Sequence, residues 1–419
     1  MPQAGYTLDN HAFLFKETYS DISRNHYNTA TPILSRVKKR YDLAGIKDHI
    51  SIPLGPDGGF GGTNNGYLPT ASGESGDQME ITAKDVFGRA RIQHKAMKAA
   101  MSDKGSFVKF TSRPVEKAVQ GYNTGVNILW HGDGTGRISK TKATSGYVSG
   151  GATAPVIEFD TTEWVARWWN KNQLVNFGNV GDTGVEDGLF KVESVNTATY
   201  RVTFSRVEGT FDLSSSTNAN ARFVYFQNMF KDAPEGLEST IMKTTGEIYT
   251  IPYDAQGWGS YIYDANGAPP SASMLNFTFN QQGTRVDEAD LPDFILTSPE
   301  IWAILSDIPE MQKRIQLSPR DKGMASYGFG FSGLSYTTPA GKVIPIVQDK
   351  HCKTNRMYGL NSDMMYMYHL PDHGWVDEDG RVFLRESNRL YYEGTYGGYF
   401  QNVVHPTFHI AIKNIGIGA

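Results

Sequence analysis

Three groups of residues have types and spacings that could support chemistry. The first, Gly328–Gly333, has the G-x-G-x-x-G spacing of dinucleotide-binding loops. Such a loop follows a strand and opens a helix, because the pyrophosphate binds at the helix N-terminus. Here a polar loop precedes the glycines, and the strand-like segment 334–338 follows them. We therefore predict no dinucleotide site.

Histidines form the second group. His405 and His409 have i, i+4 spacing, but the proline and β-branched residues around them favour a strand, and no third metal ligand lies nearby. His131 and Asp133 resemble an acid–base pair, yet they lie where a helix is predicted to stop, a position at which such residues cap. Neither pair predicts a metal site or a catalytic site.

The third group contains a thiol and two aspartates. Cys352 is the single cysteine, which excludes an intrachain disulfide and a cysteine-based zinc cluster, and no activating partner is evident for it. Asp377 and Asp379 lack the spacing and the closing glutamate of a calcium loop. We therefore predict no catalytic residue, no metal and no cofactor, and a protein that is not an enzyme.

Composition narrows the class of protein. The 419 residues suggest two or three structural units at about 150 residues each. Lys plus Arg number 40 against 44 Asp plus Glu, without the basic tract of a dedicated nucleic-acid binder. No apolar run approaches the roughly 18 residues of a membrane helix, and the N-terminus does not resemble a signal peptide. With 44 glycines and 12% aromatic residues, we expect a β-rich α+β fold.

The N-terminal half is predicted to contain a short helix, a long hairpin and a long helix, which would position any functional site in this half. The spacing of Ile33, Leu34, Val37 and Tyr41 after Thr31-Pro32 predicts a short helix at the end of an extended arm. Alternating apolar residues on both sides of the glycine-rich segment 55–76 predict a long hairpin. A hairpin is marginal alone in water, and no local surface for it is obvious, so we expect it to lie on another subunit.

Charge is distributed unevenly along this hairpin. Residues 51–83 contain no lysine or arginine, whereas the charged residues of 84–98 are five bases and the single acid Asp85. Opposite charges at the two ends of one element suit head-to-tail docking between identical subunits. The alternative is two independently solvated faces. The candidate contact residues are the acidic Asp57, Glu74, Asp77 and Glu80 and the basic Arg89, Arg91 and Lys95.

The clearest helix covers residues 103–131, where an apolar stripe repeats at steps of four and three. Pro114 predicts a kink or a break in its first turns. Gly121 and Gly125 each cost about 1 kcal/mol relative to alanine, which indicates close packing on their face. The glycine-rich segment 132–136 ends the helix.

The second half of the chain is predicted to begin with a β module and to end in strands. Residues 190–205 read as strand, turn at Asn196-Thr197, and strand. Residues 293–297 form a buried strand, and Ser298-Pro299 starts a helix as N-cap and first helical residue. Strand-like segments then continue to the C-terminus.

The order of these parts resembles the major capsid proteins of tailed bacteriophages with the Hong Kong 97-type fold. The hairpin resembles the family's extended loop, the helix with its GDGTG stop resembles the spine helix, and FKVESVNTATYRVTFS resembles an inserted β domain. LPDFILTSPEIWAIL and the closing strands resemble the axial domain and the last part of the family's fold.

The resemblance implies a layout in seven parts. They are an N-terminal arm (1–47), the extended loop (48–102), the spine helix of the peripheral domain (103–136), an inserted β domain (137–230), a peripheral-domain connection (231–285), the axial domain (286–345) and closing strands shared by the axial and peripheral domains (346–419).

The resemblance also implies a function. The chain would assemble with itself as pentamers and hexamers into an icosahedral shell around double-stranded DNA, held without sequence specificity. Further expected partners are a separate scaffolding protein, a portal protein and a decoration protein, but no membrane. The protein would be made in the host bacterial cytoplasm and reside in the virion.

Two family features are expected to be missing. Residues 48–83 contain no lysine, so the loop cannot form the lysine–asparagine crosslink that some members make, and we predict non-covalent stabilisation. The chain shows no charged N-terminal scaffolding segment, so we expect no N-terminal cleavage.

Two other classes stay open at this point. One is a secreted carbohydrate-binding or carbohydrate-active β protein, suggested by tryptophans and tyrosines that look exposed, although no signal peptide and no convincing carboxylate pair support it. The other is a different virion structural protein from the tail or a decoration layer, which the β module alone would equally allow.

Overall fold

The computed structural model describes residues 32–308 and 334–417, with gaps at 44, 46, 56–58, 63–67, 69, 71–72, 74, 95–103, 145, 152, 180, 215–218, 256, 340, 371–372, 378–381 and 386–389. For residues 93 and 104–114 it describes the backbone only. The chain forms two compact units. The first unit comprises the described parts of 32–48, 82–130 and 366–402, and the second comprises those of 49–81, 131–365 and 403–417.

Strands account for most of the regular structure. They are β1 (Lys38–Arg40), β2 (Lys47–Gly55), β3 (Ser75–Thr82), β4 (Lys84–Gln93), β5 (Arg137–Lys140), β6 (Tyr147–Ser149), β7 (Val156–Glu158), β8 (Leu174–Gly178), β9 (Val185–Asn196), β10 (Arg201–Gly209), β11 (Phe223–Phe226), β12 (Glu247–Ile248), β13 (Ile251–Pro252), β14 (Tyr261–Asp264), β15 (Phe294–Thr297), β16 (Leu334–Thr337), β17 (Val343–Gln348), β18 (Met357–Leu360), β19 (Met365–His369), β20 (Gly374–Trp375), β21 (Leu384–Arg385), β22 (Tyr391–Val404) and β23 (Ile410–Lys413). The α-helices are α1 (Lys104–Trp130), α2 (Leu237–Thr240), α3 (Ala272–Gly283) and α4 (Pro299–Ser306).

In the first unit, α1 packs on a six-stranded sheet built around β22. The order is β1-β19-β22-β20, and β4 and β21 also pair with β22. The apolar stripe predicted for the helix is buried, with each side chain at most 5% exposed. Its members are Val115, Val119, Tyr122, Val126 and Leu129.

Three expectations for the N-terminal half are wrong. Residues 32–36 form a turn that leads into β1, not a helix, because the backbone of 38–40 pairs with β19 instead. α1 continues through Pro114, so the break that is one of the two predicted effects of this proline is absent. Apart from the helix's own backbone, no described atom would lie within 4 Å of a Cβ at Gly121 or Gly125, so these glycines do not mark close packing.

The second unit contains a six-stranded mixed sheet in the order β14-β23-β18-β15-β17-β16. Helices α3 and α4 cover it through side chains such as Phe279, Ile301 and Leu305, which share one core with its strands. α4 begins as predicted, with Pro299 in its first turn and the Ser298 hydroxyl accepting a hydrogen bond from the Ile301 N–H. This sheet draws strands from both sides of segment 286–345, so the domain boundaries given above stay a prediction.

A seven-stranded antiparallel sheet, in the order β5-β11-β8-β9-β10-β7-β6, also belongs to the second unit. All its strands come from residues 137–226, within the segment predicted as an insertion. Its central hairpin, β9–β10, turns where Asn196 Oδ1 accepts the N–H groups of Ala198 and Thr199. The predicted strand, turn and strand are therefore present.

Loss of the α4 cap tests how strongly the second unit depends on Ser298. The Ser298→Ala substitution removes a fully buried hydroxyl acceptor from the Ile301 N–H, and we expect unfolding to become easier by about 1–2 kcal/mol. Urea titration checks this, with Ser306→Ala at the other end of α4 as the matched control. An equal or larger loss in the control would contradict the assignment of the cap.

Candidate subunit-contact site

The structure places four of the seven predicted contact residues, and they lie on two different surfaces. Asp77 and Glu80 lie on β3 in the second unit, and Arg89 and Arg91 lie on β4 in the first unit. The other three candidates, Asp57, Glu74 and Lys95, fall outside the described residues, as does the G-x-G-x-x-G segment.

The acidic surface is the β2–β3 hairpin. Residues 75–78 of β3 are exposed, whereas Met79 and Ile81 are completely buried. The Glu80 N–H donates to the Tyr249 carbonyl, and the Thr250 hydroxyl donates to the Gln78 carbonyl 3.1 Å away. The base of the hairpin is therefore held by its own unit, and docking of the rest of the hairpin on another subunit stays a prediction.

Beyond that base the hairpin presents both acidic and apolar groups. Asp77 is exposed, and its Oδ1 accepts the N–H of Gln78 at 2.8 Å. Phe60 is fully exposed, and Leu68 is 81% exposed. Exposed apolar side chains of this size next to acids are typical of surfaces that become buried on association.

The basic surface is the outer face of β4 and β22. β4 alternates between exposed and buried residues, with Arg89 and Arg91 outside and Ala90 inside. Both arginines contact one carboxylate: Arg89 donates to Glu393 Oε2, and Arg91 Nε lies 3.2 Å from Glu393 Oε1. Arg91 also lies over the Tyr391 ring, 4.1 Å from its centroid. Two positive charges therefore share one negative charge within the chain.

An exposed aromatic pair continues this outer face. Phe87 and Tyr399 are 39% and 45% exposed, and their rings meet edge to face at 5.4 Å. On the opposite face of the sheet, β4 packs on α1, where Gly88 lies next to Tyr122. The helix fixes the sheet from inside and leaves the charged aromatic face outside.

Histidines support the sheet from the inner side. The Tyr122 hydroxyl is 2.9 Å from His373 Nε2, and the His373 ring lies 4.5 Å from that of His369. Burial lowers the pKa of His373 from 6.5 to about 4, and the Lys39 charge adds to the effect. Burial, His373 and Lys39 lower the pKa of His369 to about 2. Both rings are neutral in the folded protein at neutral pH.

The histidines suspected of chemistry take structural roles. His131 Nε2 lies 3.3 Å from Asp349 Oδ2 with both side chains buried, while Asp133 accepts the Thr135 N–H at the helix stop. His409 is completely buried, and its Nδ1 accepts the Asn361 N–H. The segment before His409 is a 3-10 turn, not the expected strand.

Neither the thiol nor the tryptophans form an exposed reactive or binding group. Cys352 is buried, and burial raises the pKa of its thiol. All seven tryptophans of the sequence are buried or half-buried. Trp164 and Trp169, in the segment between β7 and β8, stack at 5.9 Å, and Trp169 packs on Phe159 and Phe204. The exposed tryptophans on which the carbohydrate alternative partly depends are therefore not present, whereas some of its tyrosines, such as Tyr41 and Tyr399, are exposed.

Sequence reasoning missed Glu393, which decides how much positive charge the β4 surface carries. It stands 304 residues from Arg89 in the chain, and only the register Glu393↔Arg91 brings them together. The sequence predicts strand-like segments in this last part of the chain but not which strands pair with each other.

No family model and no curated protein matches the sequence. Solved structures do resemble the chain. A chain of the cyanophage A-1(L) capsid asymmetric unit is 12% identical, with 92% of this chain and 93% of that one covered at a TM-score of 0.51. Two further matches have lower TM-scores. The capsid of Myoviridae phage XM1 is 9% identical, with 93% of this chain and 92% of that one covered at a TM-score of 0.43. The SrpI encapsulin of Synechococcus elongatus is 8% identical, with 94% and 90% covered at a TM-score of 0.41.

The similarity to the cyanophage capsid chain defines the class of fold. This chain has a phage-capsid fold, and the predicted Hong Kong 97-type α+β fold is confirmed. Among the described residues, no helix is long and apolar enough to cross a membrane.

Acid should destabilise the first unit through its buried histidines. Above pH 6.5 the rings are neutral in both folded and unfolded chains, so their full contribution is present. Between pH 6.5 and about 4, His373 is protonated in the unfolded chain but stays neutral in the folded chain. The free energy of unfolding therefore falls as pH falls. Denaturant titrations from pH 7.5 to 4 measure this, and His373→Gln should flatten the slope. The exposed His49→Gln serves as control, and an unchanged slope in His373→Gln would contradict the assignment.

Proposed function

We propose that this chain is the major capsid protein of a tailed bacteriophage. It assembles with itself as pentamers and hexamers into an icosahedral head that encloses double-stranded DNA. The observation that supports the proposal is a phage-capsid fold over almost the whole chain, shared with a capsid chain of nearly equal extent. The role is structural and not enzymatic, and its place is the virion shell after synthesis in the host cytoplasm.

The two surfaces of the chain give this proposal a physical basis. An acidic, apolar hairpin (Asp77, Phe60, Leu68) and a basic, aromatic strand face (Arg89, Phe87) are complementary in charge and both expose apolar rings or side chains. Surfaces that complement each other but differ make head-to-tail contacts, which close into rings when the rotation permits. In the proposed shell, the hairpin of one subunit docks on the β4–β22 face of the next.

Net charge fits a shell around DNA. At −4 for 419 residues, the chain is close to electrically balanced, so packaged DNA would be held without a strong sequence-independent attraction. The further partners in the proposal are a separate scaffolding protein, a portal protein and a decoration protein. A tail or decoration protein is the second candidate, because the seven-stranded sheet alone would suit that role.

Assembly state is the first test. Light scattering and negative-stain imaging of the purified chain should show rings of five or six or megadalton shells, alone or after a scaffolding protein is added. Boiled particles should run as single 46.4 kDa chains, because non-covalent contacts hold the proposed shell. A monomer that never assembles would contradict the capsid role, and a ladder of crosslinked chains would contradict non-covalent closure.

The docking surfaces can be tested by charge reversal. Arg89→Glu with Arg91→Glu should reduce assembly at low salt, and the loss should shrink as salt screens the contact. Glu393→Gln should have the opposite effect, since it leaves both arginines without their in-chain carboxylate.

Two controls make this test specific. Asp77→Lys with Glu80→Lys, combined with the arginine reversals, should restore assembly because the pairing is exchanged and not lost. Arg206→Glu, on an exposed position of β10, should leave assembly unchanged. Assembly of the arginine variant at wild-type levels in low salt would rule out docking by charge.

A further inference from the structure

A cavity of about 240 Å³ in the second unit lies beside the stop of α1 and the first strand of the seven-stranded sheet. Its wall carries an unusual number of charged side chains, which come from segments far apart in the chain. They are Asp133, Arg137, Lys140, Glu163, Glu238, Lys353 and Arg356. Phe223, Trp168 and three small or uncharged residues, Gly132, Ile138 and Ser139, complete the lining.

Most of these charges are matched inside the wall. Lys353 Nζ lies 2.6 Å from Glu238 Oε2 and 3.7 Å from Glu163 Oε2, and these carboxylates raise its pKa although burial opposes them. Arg137 is held 2.7 Å from Asp182 and 3.6 Å from Asp133. The three carboxylates of the lining are thus already engaged by two of the four cations.

The remaining two cations are not fully matched. Arg356 reaches Glu238 only through Nε at 3.5 Å, and that carboxylate already binds Lys353. Its Nε and Nη1 are buried and find no hydrogen-bond partner among the described residues. Lys140 makes no ion pair within 4 Å with a described residue, although its charge interacts with the Asp160 carboxylate, and its Nζ lies 5.0 Å from the centroid of the Phe223 ring.

We propose that this cavity binds a small oxoanion, with Arg356 as its hydrogen-bonding ligand and Lys140 as a second positive charge. A planar guanidinium with unused N–H groups matches the oxygens of phosphate or carboxylate. Water could accept from these N–H groups, but unlike an oxoanion it would supply no negative charge to the guanidinium of Arg356, which shares Glu238 with Lys353. The cavity size suits a free ion with a few waters.

The test uses the purified full chain and inorganic phosphate, with sodium chloride adjusted to keep ionic strength constant. Phosphate should raise the melting temperature along a saturable curve, as expected for a ligand that binds only the folded state. Arg356→Met should weaken the apparent affinity by about tenfold or more. Lys140→Met, on the same lining, should also weaken the apparent affinity, and it covers the case in which Arg356→Met does not fold.

The control variant is Arg206→Met, because Arg206 is exposed on β10 away from the lining. Any stabilisation by phosphate that does not depend on the cavity acts equally on this variant, so its melting temperature should follow the wild-type phosphate curve. Competition with acetate and with a short DNA duplex identifies the source of the oxoanion. If the duplex displaces phosphate, the source is the nucleic-acid backbone. If the duplex does not displace phosphate, the source is a free ion. A wild-type response no larger than that to sodium chloride, or equal responses in the wild type, Arg356→Met and Lys140→Met, would overturn the proposal.

Discussion

The antiparallel pairing of β4 with β22 is the constraint on which the first unit depends. Ten consecutive pairs, from Tyr391↔Gln93 to Phe400↔Lys84, fix the register of the two strands. Because strand side chains alternate, a slip of one residue would turn the outer arginines toward α1. Gly397 protects this register, since a Cβ there would lie 2.3 Å from the Val86 carbonyl oxygen. The outward position of the two arginines is thus a consequence of strand register.

The sequence predicts well where short-range patterns decide the structure. The apolar stripe of α1, the Ser298 cap and the β9–β10 hairpin all follow from residues within a few positions of each other, and all are present. The helix expected before Tyr41 fails because β1 gains a partner in β19, more than 300 residues away, and tertiary pairing overrides local spacing.

The candidate site is less predictable, for the same reason. Arg89 and Arg91 could be singled out by charge, but Glu393 and the aromatic Tyr399 could not be placed beside them without knowing the register. His131 likewise pairs with Asp349 and not with its neighbour Asp133. Charge patterns along a sequence locate a surface, whereas its net charge depends on which distant strand lies next to it.

Local neutralisation decides what the charges on the proposed docking surfaces contribute. Exposed ion pairs contribute about 0–1 kcal/mol to stability. Glu393 already neutralises part of the positive charge of Arg89 and Arg91. Most of the binding free energy between subunits must then come from burial of exposed apolar side chains, which contributes about 1.5–3 kcal/mol for a residue such as Phe60 or Leu68. In the proposed shell, the charges would therefore set orientation and register while the apolar groups hold subunits together. Individually weak contacts of this kind suit a closed shell, because misplaced subunits can dissociate before many repeated contacts make the whole stable.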